Sequence, residues 1–210
     1  MPKLDEKTQR ARRENILEAA EHCFSREGFH RTSMQDICRE AGISPGALYL
    51  YFTSKEDLIA GICEKERMQF AHALASVSEA PDFMAALSGL AQAYCVDEPQ
   101  EKLRLHLEIN AEALRNPAIG KTVREIDAFV VESFQRLLEG ARDRGRINPE
   151  HGSEMVALVL SVLGDGIFLR RAIDPAFDVK ALLPVVMSLM SFLIRPADTA
   201  SVSNEFEARG

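Results

Sequence analysis

Ser33-Met34-Gln35-Asp36-Ile37-Cys38-Arg39-Glu40-Ala41, then Gly42-Ile43-Ser44, then Pro45-Gly46-Ala47-Leu48-Tyr49-Leu50-Tyr51-Phe52 is the stretch on which the fold turns. Ser33 with Asp36 forms a capping box and opens a helix whose apolar face is Met34, Ile37, Cys38 and Ala41. Gly42 ends that helix after two turns, because glycine enters the left-handed region without a Cβ penalty. Ser44 as N-cap and Pro45 at the first helical position restart the chain at once, predicting a second helix over 45–52. Two short helices with a glycine turn and an apolar residue, Ile43, under the corner make a helix-turn-helix. The second helix of such a pair lies in a DNA major groove.

Outward from this core the chain reads as helices throughout, with no strand-like alternation and no internal repeat. Ahead of it, Ile16, Ala19, Ala20, Cys23 and Phe24 recur at helical spacing, predicting a first helix over 8–27 that Gly28 closes. Behind it, Ser54-Lys55-Glu56-Asp57 caps a long fourth helix to about Ser76. Five more helices are predicted at about 82–95, 101–115, 118–144, 153–173 and 179–195, separated by proline- and glycine-bearing breaks. The expected fold class is therefore all-α with about nine helices. A three-helix DNA-binding domain over 1–54, with helix four as connector, precedes a ligand-binding and dimerisation domain over 55–195 and a frayed tail over 196–210.

Composition narrows the function. With 25 basic and 32 acidic residues the formal charge is −7, which denies the broad basicity of a nucleoid-type DNA coat. The first 13 residues nevertheless carry five basic side chains against Asp5 and Glu6, a local net of +3, and read as a DNA-facing arm. Four cysteines at 23, 38, 63 and 95 have no C-x-x-C spacing and read as free thiols, so no metal and no cofactor is expected. The polar, basic opening is no signal peptide, and the apolar run from Met155 to Leu169 falls short of the ~20 residues a membrane span needs. A cytoplasmic chain with no membrane partner is expected. H-E-x-x-H, G-x-S-x-G and phosphate-binding glycine loops are missing, and His106-Leu107-Glu108 lacks the P-C-x-x-C that a zinc deaminase adds to H-x-E. No catalytic residues are assigned.

The run Gly28-Phe29-His30-Arg31-Thr32-Ser33-Met34-Gln35-Asp36-Ile37, followed by Ala41 through Phe52 and by Ser54-Lys55-Glu56-Asp57-Leu58, resembles the signature of the TetR family of transcriptional regulators across about residues 12–60. Ala111-Glu112-Ala113-Leu114-Arg115-Asn116-Pro117 has a looser likeness to the choline-responsive branch. The resemblance implies a dimer that binds double-stranded operator DNA and is released by a small-molecule effector. A transcriptional activator, or a regulator needing no ligand, is the alternative of the same fold. In the second helix of the pair, Leu48 and Phe52 are four apart and face the core, turning Gly46, Ala47, Tyr49 and Leu50 outward. Gly46 admits the DNA backbone, Tyr49 can bond a phosphate, and Ala47 and Leu50 suit a thymine methyl. Gln35 matches a family base-contact position and suits adenine. Thr32, Ser33, Ser44, Pro45 and Tyr51 complete the expected interface, with interhelical packing the alternative for both tyrosines. Lys55, ill placed for a helix N-terminus by itself, makes sense beside a phosphate.

The last two helices are the most apolar. Met155, Val159, Val162, Leu163, Asp165, Val186 and Met190 are the expected subunit interface, and the resemblance implies a four-helix bundle built from both subunits. Pro184 is expected to kink the final helix. For the effector, helices four to seven offer Met68, Phe70, Tyr94, His106, Glu108, Asn110, Phe129 and Phe134, an apolar lining with a few polar groups.

Overall fold

The computed structural model describes residues 5–197. Among them run nine α-helices: α1 Glu6–Glu27, α2 Met34–Ala41, α3 Pro45–Leu48, α4 Lys55–Glu79, α5 Phe83–Ala91, α6 Gln100–Ala113, α7 Pro117–Asp143, α8 Ser153–Ile173 and α9 Val179–Ile194. A π-helical stretch, Gln92–Asp97, follows α5. The only β-pairing among the described residues is an isolated bridge between Ile147 and Pro196. Lys3 of the basic arm and residues 198–210 of the expected tail lie outside the described residues.

The helix ends follow their local chemistry. Ser33 Oγ accepts from Asp36 N at 3.2 Å while Asp36 Oδ2 accepts from Ser33 N at 2.9 Å, closing the capping box. Gly42 stops α2 at φ 66°, ψ 33°, a left-handed cap. Ser44 caps α3 through Ala47 N. The helix α3 is shorter than its predicted span of 45–52. After Leu48 the chain tightens, with Tyr51 N and Phe52 N both donating to Leu48 O. Phe52 is nonetheless in the core at 4% exposure, four positions on from the buried Leu48.

The chain forms two compact units. The first combines the described part of 1–69 with 98–128 and 168–176. Its core joins Ile16, Ala20 and Phe24 of α1, Ile37 of α2, Leu48 of α3, Leu58 and Ile62 of α4, Leu105 and Ile109 of α6, and Ile119 of α7. This unit extends past residue 54 to take in later helices. α6 and the start of α7 share one core with the first four helices through Leu105, Ile109 and Ile119.

The second unit combines residues 70–97, 129–167 and the described part of 177–210. Its core holds Leu74 and Val77 of α4, Phe83 and Leu87 of α5, Leu137, Leu138 and Ala141 of α7, Val156 and Leu160 of α8, and Met190 and Ile194 of α9. Arg146 ties the end of α4 to the stretch after α7 by donating to Ser78 O and to Ala80 O, the latter at 2.9 Å. Pro184 sits inside α9, and the helix runs through it. Met190 is 6% exposed and belongs to this core, which corrects its assignment to the subunit interface. The residue one position away, Leu189, is turned outward instead, as the 100° step of a helix dictates.

Candidate nucleic-acid interface

Within the first unit, Leu48 is fully buried and anchors α3, so the rest of that helix is presented outward. Ser33 and Gln35 on the start of α2, and Ser44, Pro45 and Gly46 on α3, are exposed, with Ala47 and Tyr51 half-buried. Tyr49 is 52% and Leu50 84% exposed. Space for a Cβ at Gly46 is open, so this glycine is not demanded by the protein's own packing. Leu50 makes no contribution to the core of this unit and is free to face a partner.

Two expected contact residues are placed otherwise. Thr32 is buried, and its hydroxyl donates to Gly28 O at 2.8 Å and Cys23 O at 3.2 Å. Its side chain braces the α1–α2 turn and is withdrawn from solvent. Lys55 turns its ammonium back into the protein. Nζ donates to Phe29 O and, at 2.9 Å, to Thr32 O, and lies 4.2 Å from the centre of the Phe29 ring. Sequence reasoning gave Lys55 to a phosphate because its partners, 26 and 23 residues away, carry no local signal.

The same turn is gripped from a second side. Phe29 N donates to Glu108 Oε1 at 2.6 Å, and His30 Nε2 lies 2.8 Å from Glu112 Oε2. Asn15 Nδ2 donates to Ala41 O at 2.9 Å, pinning the end of α2 to α1. Asn15, His30 and Glu112 escaped the sequence reading. The signal was there for one of them only, since Glu108 and Glu112 share a face of α6 at i, i+4.

Of the eight residues expected to line an effector site, Phe70, Tyr94 and Phe134 meet in the second unit. The Phe70 ring centre is 5.5 Å from Tyr94 and 5.3 Å from Phe134, both edge to face. Phe129 belongs to the same unit and is half-buried. Met68, His106, Glu108 and Asn110 belong to the first unit. There Met68 is 66% exposed, His106 stacks edge-on against Phe168 at 5.4 Å, Asn110 is half-buried, and Glu108 is bonded to the Phe29 amide. Glu108 is thus engaged as an internal tie.

The first unit also holds a set of charges beneath α4. Lys65 pairs with Glu21 at 3.2 Å and Lys102 with Glu98 at 3.0 Å. Burial pushes the Glu66 carboxyl up to about 7; nearby Lys102 opposes the shift, and Glu21 and Glu98 add to it. Burial likewise pushes the Cys63 thiol up to about 12, so it carries no thiolate at neutral pH. For Glu66 the folded value lies above the free value of 4.5, so between those two pH values the unfolded chain releases a proton that the folded chain keeps. Stability is expected to fall as pH rises from about 4.5 to about 7. Glu66→Gln should exceed the wild type by less than about 1 kcal/mol in urea denaturation at pH 5 and by about 1–3 kcal/mol at pH 8. Equal wild-type and variant stability at pH 8 would refute this account of Glu66.

Known proteins match this arrangement. The family model for bacterial regulatory proteins of the tetR family matches residues 16–62, the span that contains the helix-turn-helix pair. A second model, for the C-terminal part of BetI-type transcriptional repressors, matches residues 83–193. The chain belongs to the TetR family. Curated relatives of this TetR-family regulator include the HTH-type transcriptional regulator UidR of Escherichia coli K12, 31% identical over 157 residues, which are 74% of this chain and 79% of that one. YfiR of Bacillus subtilis, also an HTH-type transcriptional regulator, is 30% identical over 174 residues, 79% of this chain and 82% of its own. Among solved structures, Salmonella enterica GusR superposes with a TM-score of 0.73 at 28% identity, covering 88% of this chain and 96% of its own. The regulator is a helix-turn-helix DNA-binding protein of the repressor type and not an enzyme. No helix among its described residues is long and apolar enough to cross a membrane.

Proposed function

We propose that this regulator binds a palindromic operator as a homodimer and leaves it when a small-molecule effector binds. The observation that carries the DNA half of this reading is the outward set Gln35, Gly46, Tyr49 and Leu50 on a buried Leu48 anchor. The dimer half rests on two helices of the second unit that leave apolar faces uncovered. Met155, Leu158 and Val162 on α8 are 58%, 44% and 60% exposed, and Val185, Leu189 and Phe192 on α9 are 64%, 42% and 68% exposed. Apolar stripes of this size at helical spacing mark a protein interface. Val159 and Leu163 are half-buried and Asp165 exposed, so they flank that face. The effector reading rests on Phe70, Tyr94 and Phe134, an aromatic cluster suited to a largely apolar ligand.

Selection of duplexes from a random pool, followed by anisotropy titration, tests the DNA half. Enriched sequences should be palindromes with half-sites one helical turn, or a multiple, apart. Leu50→Ala should lose affinity by about fivefold or more for half-sites bearing the contacted thymine and almost nothing when uracil replaces it, since only the methyl differs. Tyr49→Phe should weaken all selected duplexes alike, as a phosphate contact does. A pool that yields no enriched duplex would overturn the reading.

A further inference from the structure

The segment between α1 and α2 runs from Gly28 to Ser33, and α6 holds its first half, Gly28-Phe29-His30, with two carboxylates one helical turn apart. Phe29 N donates to Glu108 Oε1 at 2.6 Å. His30 Nε2 meets Glu112 Oε2 at 2.8 Å, the histidine largely exposed and the glutamate 5% exposed. Just past the end of α6, Asn116 Nδ2 donates to Glu56 Oε1 in the first turn of α4 at 2.9 Å. Gly28 makes room for the first of these contacts. It sits at φ +85°, and a Cβ there would stand 2.9 Å from Glu108 Oε1. The carboxylate therefore occupies space that any other residue at the α1 cap would fill.

From Phe29 the chain reaches the α2 cap in four residues, and that segment has little freedom. Thr32 N donates to Gly28 O, the Thr32 hydroxyl is bonded to the end of α1, and Lys55 closes Phe29 O and Thr32 O from the far side. A displacement of the Phe29 peptide is passed to Ser33 and so to the N-terminus of α2, where Gln35 projects. The apolar core under α1, α2 and α3 does not depend on this bond, because Ile16, Ile37 and Leu48 are buried against one another. Losing the bond should shift the head without melting it.

We propose that Glu108 is a positioning residue for operator binding, acting through the Phe29 amide to set the orientation of α2 and the helix that follows it. The proposal rests on the reading of the head as the DNA-contacting surface. Glu108→Leu keeps the bulk and removes the acceptor; Glu108→Gln keeps an acceptor oxygen at the same reach. In amide hydrogen exchange on the full chain, Phe29 N–H should lose protection in Glu108→Leu and keep it in Glu108→Gln. Affinity for a duplex selected by the wild type should fall about tenfold in Glu108→Leu, equivalent to about 1.4 kcal/mol, and stay within about twofold in Glu108→Gln. Wild-type affinity in Glu108→Leu with an unprotected Phe29 amide would overturn the proposal. So would a Glu108→Gln variant as weak as Glu108→Leu, since the charge and not the bond would then matter. A Glu108→Leu chain that fails to fold would also overturn it, by making the residue structural. If the wild type selects no duplex, the DNA reading itself fails, while the exchange measurement still reports on the bond.

Discussion

Val162→Glu is expected to convert the regulator from a dimer into a folded monomer and to cost at least about a hundredfold in operator affinity. Val162 is 60% exposed on α8 and takes no part in the core of its unit, so the subunit keeps its own packing. In a two-fold interface the same residue is contributed by both copies. A carboxylate introduced there has to be desolvated without a partner, a cost of several kcal/mol for each subunit. The DNA penalty follows from valency. Two linked heads bind a palindrome with an avidity gain of about 10²–10⁴, and a monomer forfeits it. Light scattering should halve the molar mass while the helical circular-dichroism signal stays. Met190→Glu provides the contrast. Met190 is 6% exposed within the core of the second unit, so the same charge there should unfold the subunit instead of separating it. A native dimer of Val162→Glu at micromolar concentration would remove α8 from the interface.

Lys55→Met is the second large effect, and it is expected in stability as well as in DNA binding. The ammonium satisfies Phe29 O and Thr32 O and lies over the Phe29 ring. Removing it strands two partly buried carbonyls, at about 1–3 kcal/mol each, and deletes a cation–π contact of about 0.5–2 kcal/mol. With relaxation and water entry recovering part of that, a net loss of about 3 kcal/mol lowers Tm by roughly 6–12 °C in a chain of this size. An ammonium has three donors, so one proton is left to face a phosphate. The two roles separate in the data. If Lys55 is chiefly a tie, Tm falls by this amount and affinity drops with little change in salt dependence. If Tm holds and the salt slope falls by roughly one charge per subunit, Lys55 is a phosphate ligand and the tie contributes nothing measurable.

The parts of this molecule that could be read from residues alone are those governed by neighbours within about four positions. Ser33 and Asp36 announce their box, Gly42 its left-handed turn, Ser44-Pro45 the restart, and Ile16 through Phe24 the buried stripe of α1. Such features depend on backbone amides left over at helix ends and on the 3.6-residue repeat, both local properties. They suffice for the helix-turn-helix and for the all-helical fold, and the outward direction of Tyr49 and Leu50 follows from the burial of Leu48.

What the chain could not disclose are contacts between residues distant in sequence. Glu108 and Phe29 are 79 positions apart, and their bond exists only because α6 packs on α1. Lys55 looks misplaced at a helix N-terminus until the two carbonyls of the α1–α2 turn are brought beneath it. Met190 and Leu189 are neighbours of similar apolar character about 100° apart on the helix. Which of them faces its own subunit and which faces outward is set by how α9 rotates against the core of the second unit. A helix wheel gives relative directions around an axis; only the packing of that axis against its neighbours assigns each direction to core or surface, because burial is a property of the surroundings and not of the side chain.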